Sequence, residues 1–159
     1  MLFAWRFITV MLVALSMALS FCHLMEMPPR LRWEPGLWMA ATTFGGLYHL
    51  FGRIGAVIDV GAVIASMVLV FLVRKRRPAF QLTLGAASLM VLGLAVWFAF
   101  VAPMNQIMAT WTPGAVPNDF TSVRDQWEYS HAVIAGIKTI GFASLTFSVL
   151  VETMPRAPV

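Results

Sequence analysis

Three observations predict an all-α integral membrane protein, a four-helix bundle with an interfacial or re-entrant segment after its first helix. Four long apolar runs divide the chain. Sixty per cent of the 159 residues are apolar and only 11% charged, with a mean hydropathy of +0.81, far from a soluble domain. One dense cationic run, Arg74 to Arg77, interrupts the apolar sequence. The length suits one transmembrane domain over 1–159.

Phe7 to Leu24 is an apolar run of 18 residues behind Arg6. A signal peptide is the competing reading. The long core and the lack of a small-residue cleavage site favour a retained helix near 7–24. Its Thr9, Ser16 and Ser20 fall on one face and suit a packing seam between helices. Glu26 to Gly36 (EMPPRLRWEPG) holds three prolines and two arginines, which ends the helix. Leu37 to Phe51 is too short to span, at roughly 22 Å by helical rise against ~30 Å of hydrocarbon. It is the interfacial or re-entrant segment, with a fifth span as the alternative.

The second span is expected near 54–73, with a stripe of Gly55, Asp59, Ala62 and Ser66. The third lies near 82–102, with Gln81, Gly85 and Ser88 on one face. A polar connection over 103–128 leads to the fourth, near 132–151. Four spans place Arg74–Arg77 and both termini, with Arg6 and Arg156, in the cytoplasm. In a bacterium the membrane is the inner or plasma membrane. His23, His49, Asp59, Glu128, His131 and Lys138 then share the outer half of the bilayer.

Composition excludes some functions. Four of the eleven cations sit in one short run, so the net charge of +4 is a topology signal and not a nucleic-acid footprint. The single cysteine, Cys22, rules out a C-x-x-C redox pair.

The chemistry-bearing residues form three groups. Glu128 and His131, with His23 and Glu26, stand at i, i+3, a ligand spacing of di-iron bundles. Joined by His49, these five form a candidate metal set. The plainer reading leaves the glutamates solvated at helix ends. Asp59 and Lys138 lie at similar depth and suit an ion pair between the second and fourth helices. In a functional version Lys138 stabilises an anionic substrate or oxygen intermediate. Trp33, Trp38, Trp111, Trp127, Tyr48 and Tyr129 suit an interfacial aromatic belt. Tyr48, Trp111 and Trp127 are the members that can line a pocket for a flat substrate.

The segments P-M-N-Q-I-M-A-T-W and R-D-Q-W-E-Y-S-H carry Asn105, Trp111, Arg124, Trp127 and His131. Together with H-x-x-E-x-P at His23, Glu26 and Pro28, and the stretch around Tyr48, Phe51, Gly52 and Gly55, they resemble the anthrone oxygenase-like family. These are small four-span membrane proteins of the type also described as a domain of unknown function. The resemblance implies oxidation of a hydrophobic, phenolic substrate with molecular oxygen. It adds Asn105 and Arg124 to the substrate-binding candidates. Ile134 stands where relatives carry Arg, leaving an anion-facing role to Lys138 or to no residue.

The expected function is therefore a membrane oxidoreductase working at the outer leaflet. His131 and His23 are the proton acceptors, and Lys138 and Asp59 complete the catalytic candidates. The cofactor stays open between none and a transition metal, and the partners are membrane lipid and a small hydrophobic substrate. The alternative is a non-enzymatic membrane subunit or a metal- or haem-binding protein. The absence of an inverted repeat speaks against a transporter.

Overall fold

A computed structural model describes residues 1–153, and the side chains of all of these except Leu47, Tyr48 and Thr153. The expected Arg156 lies outside the described residues. Among those described there are four helices long and apolar enough to cross a membrane, over Leu2–Arg30, His49–Val73, Ala79–Met108 and Phe120–Glu152. The all-α class and the multi-pass membrane reading therefore hold.

In chain order the elements are α1 (Leu2–Arg30), α2 (Pro35–Met39), α3 (Leu47–Val73), α4 (Ala79–Val96), α5 (Ala102–Met108) and α6 (Phe120–Thr153). Each spanning helix outruns its apolar core. At 1.5 Å per residue the 29 residues of α1 reach roughly 43 Å, the thickness of a bilayer with its headgroups.

Two expected boundaries are corrected by backbone chemistry. Pro28 and Pro29 do not end α1, which runs through both to Arg30. They lack N–H donors but keep their carbonyls, and the Arg32 and Trp33 amides close the end on Pro29 and Arg30. Prolines in a last turn thus remove two bonds without breaking the path of the chain. The connection over 103–128 is likewise largely helical. α4 passes into α5 through a wide π-turn at Trp97–Val101. Pro103 cannot donate to Ala99, and its ring crowds that carbonyl; the extra residue of a π-turn opens the room. Helix α6 already starts at Phe120, so Arg124 to Trp127 lie on the same helix as Glu128 and His131 and not in loop.

Between α1 and α3 no described helix is long and apolar enough to cross a membrane. Helix α2 continues as a π-turn over Ala40–Phe44 and stops at two glycines. A Cβ on Gly45 would sit 2.9 Å from the Ala40 carbonyl oxygen, and Gly46 has φ of +72°. Both positions favour glycine on steric grounds.

Two buried clusters hold the bundle. At the Arg74–Arg77 end, Val13, Ala62, Leu69, Val73, Ala86, Met90 and Leu145 join all four long helices. At the opposite end Trp38, Met39, Val101, Met108, Trp111, Phe120, Val123, Trp127 and Ile134 pack together. No residue of α3 belongs to that second cluster. Trp38, Trp111 and Trp127 are therefore core side chains and not the belt expected of them, whereas Tyr129 is 54% exposed.

Candidate functional site

The site lies at the end away from Arg74–Arg77. Residues 23–30 of α1, α2, the first half of α3, α5 and the start of α6 converge there. The segment opens with a buried brace. The Arg30 guanidinium is 1% exposed and Glu128 is 1% exposed. Arg30 Nε is 2.9 Å from Glu128 Oε1. The Trp38 indole donates to the same oxygen at 2.8 Å, and Arg30 Nη2 donates to Thr42 Oγ1 at 2.8 Å. The guanidinium also stands over the Trp38 and Trp127 rings, at 5.5 and 5.1 Å, cation–π distances. One arginine thereby ties α1, α2, the π-turn after it and α6 together. Two opposite charges so deeply buried persist only because each is paired and hydrogen-bonded.

On this brace rests a stack of rings. His23 and His131 lie face to face, with ring centroids 4.3 Å apart and planes 22° from parallel. Trp127 meets His131 at 4.3 Å and His23 at 5.3 Å, both edge-on. Phe51 closes on His23 at 5.6 Å. The Trp127 indole donates to Asn105 Oδ1 at 2.8 Å, which fixes its plane from α5.

Deeper in the bundle is the second charge pair. Lys138 Nζ donates to both Asp59 carboxylate oxygens at 2.8 Å. Ser16 Oγ donates to Asp59 Oδ1 at 2.6 Å. The expected pairing of α3 with α6 is present, and Ser16 belongs to it, beyond the packing seam assigned from sequence. An ammonium has three donors, so one remains after the two bonds to Asp59.

Between these layers is a cavity of about 860 Å³. Its lining includes His23, His49, Asp59, Asn105, Trp111, Trp127, His131 and Lys138. The three histidines thus meet one space, as their common depth suggests. The wall holds one stacked histidine pair, one ion pair and broad aromatic faces.

Other assigned residues are placed elsewhere or lie outside the described side chains. Arg124 is bound to Asp125 at 2.8 Å, stands over Phe120 and does not line the cavity. The Tyr48 side chain lies outside the described residues. The five-residue metal set does not assemble: among the described residues no group of three or more His, Cys, Asp or Glu side chains is placed to hold a metal ion. Glu128 is committed to Arg30 and Trp38, not to the cavity rim. Glu26 is at the exposed end of α1, 3.4 Å from Arg30. His49 is exposed. This donor set does not fit a metal. Sequence reasoning missed Arg30 as a site residue and read Trp38 only as part of the belt; the only signal for Arg30 was its i, i+4 spacing from Glu26.

Comparison with family models, with curated proteins and with solved structures finds no match for this chain.

Proposed function

We propose that this is a membrane oxidoreductase of the anthrone oxygenase-like type, which binds a flat phenolic substrate in the 860 Å³ cavity and oxidises it with molecular oxygen. The observation that carries the reading is the stacked His23–His131 pair, set between Trp127 and the Asp59–Lys138 pair in one cavity. A planar ring lies against the aromatic wall. An imidazole of the pair removes a proton from an activated ring CH₂ or a phenol, and the remaining Lys138 N–H faces the oxygen on which charge develops. Dioxygen then attacks the electron-rich carbon. One oxygen atom becomes the new ring carbonyl, and the other leaves as water with the two hydrogens of the CH₂. The orientation supporting this has Arg74–Arg77 and both termini cytoplasmic, so that the cavity belongs to the outer leaflet.

The test uses the purified protein in lipid nanodiscs with a hydroxylated anthrone in air-saturated buffer. Oxygen uptake and quinone absorbance should rise together in equal amounts. His131→Ala should lower the rate by about a hundredfold or more. Quinone formation equal to that of protein-free nanodiscs would overturn the proposal.

A further inference from the structure

The cavity wall formed by α3 is unlike the others. From His49 to Gly61 no described side chain of α3 is buried, whereas Ala62, Ala65, Ser66, Leu69 and Val73 all are. The helix is anchored in the core along one half and stands free of it along the other. On the free half the cavity lining includes three small residues, Gly52, Gly55 and Ala56, set among His49, Phe51, Arg53, Asp59 and Val60. A Cβ on Gly52 would meet nothing within 4 Å, and one on Gly55 would meet only Leu19, at 3.9 Å. Opposite, Phe98 of the α4–α5 segment lines the same cavity yet is 63% exposed, and Val60 of α3 lines it at 47%. A residue that both lines a cavity and faces outward marks an edge where the cavity reaches the surface. In a membrane bundle that surface is lipid.

We infer that the cavity opens sideways to the bilayer between the first half of α3 and the α4–α5 segment, and that its ligand is an amphiphile. Its head is an aromatic ring with hydroxyl or carbonyl oxygen, and its tail is a long apolar chain that passes out through this portal. The placement of the head rests on the function proposed above; the portal does not. Polarity sorts the ligand's ends. His131, Lys138 and Asp59 stand at the inner side, His49 and Arg53 line the cavity near the start of α3, and the apolar Val60, Leu94 and Phe98 line the way out. The volume is also near the top of the range for drug-sized ligands, which leaves room for part of a chain beyond one flat ring.

Two probes test this in lipid nanodiscs, 1-naphthol and the same naphthol with a farnesyl chain on the ring. Binding is read from quenching of the cavity tryptophans Trp97, Trp111 and Trp127. Ala56→Leu and Gly52→Leu narrow the portal without touching the residues placed at the head. Each should weaken the prenylated probe by roughly tenfold, the worth of about two buried methylenes, and leave 1-naphthol unchanged. His131→Ala should weaken both probes. Equal losses for both probes in the leucine variants, or no loss in either, would overturn the portal. A portal effect confined to the prenylated probe, with His131→Ala silent, would sustain the portal and sink the proposed head site. Failure of both probes to bind the unaltered protein would overturn both.

Discussion

The two ends of this bundle use the same four helices in opposite ways. Toward Arg74–Arg77 the helices touch closely through small residues and hydroxyls. Thr83 and Ser148 share a hydrogen bond of 2.7 Å, and Ser144 donates to the Leu82 carbonyl at 2.9 Å. A Cβ on Gly141 would come within 3.3 Å of Leu89 Cβ. Glu152 binds Arg6 and lies 3.6 Å from Arg76, closing that end. At the other end the contacts are large rings and two charge pairs, and they surround space. Lipid offers helices no hydrophobic drive to associate, so close small-residue packing is what holds such bundles. Where that packing stops, near Gly61 of α3, ionic and aromatic links take over and a cavity becomes possible.

The open end depends most on the Arg30–Glu128 brace. Arg30→Met leaves Glu128 buried with Trp38 as its remaining donor, and should cost about 3–5 kcal/mol. Thermal unfolding in detergent measures this. Adding Glu128→Leu should restore much of the loss, because the penalty comes from the stranded charge. If Arg30→Met unfolds at the temperature of the unaltered protein, the open end is not held by this pair. Lys138→Met should act in the same direction at about 3 kcal/mol, the low end of the same range. The Asp59 side chain is 19% exposed and faces the cavity, so stranding it costs less than stranding Glu128. The pair Asp59→Ala with Lys138→Met should be more stable than Lys138→Met alone.

Glycine substitutions sharpen the contrast without charges. Gly141→Leu forces a side chain into the packed end and should destabilise by about 1–3 kcal/mol. Gly52→Leu projects into open space and should stay within about 0.5 kcal/mol. Equal effects would mean that the two ends are packed alike. The smallest expected effect is Thr83→Val, which removes one interhelical hydrogen bond worth about 0.6 kcal/mol on average. Chemical unfolding of both proteins in one detergent resolves a difference of that size.

Hydropathy made the spans legible, and depth made part of the site legible. Asp59 and Lys138 could be paired from sequence because two opposite charges at one depth in lipid have few other partners. The three histidines shared a boundary for the same reason. The brace was hidden because apolar runs report the ~30 Å hydrocarbon core, whereas helices end where backbone hydrogen bonding ends. Residues 25–30 of α1 and 120–131 of α6 are helical but polar, and the site is built largely from them. Pro28 and Pro29 strengthened the false boundary, since position within a helix decides whether proline breaks it. Arg124 became a substrate candidate through the resemblance alone; on helix α6 it pairs with Asp125 and is carried to a face away from the cavity.

The most direct test of this contrast uses thiol chemistry along α3. Cys22 is the one cysteine in the chain and is exposed, so Cys22→Ser gives a silent background. On it, Gly55→Cys and Ser66→Cys place single thiols about 16 Å apart by helical rise. Gly55 lines the cavity, while Ser66 is fully buried. A membrane-impermeant methanethiosulfonate added outside intact cells should modify the cysteine at 55, and 1-naphthol should slow that reaction. The cysteine at 66 should stay unmodified. Protection of both positions would contradict an open cavity at this end. Modification at 55 only from the cytoplasmic side, in inverted vesicles, would contradict the orientation.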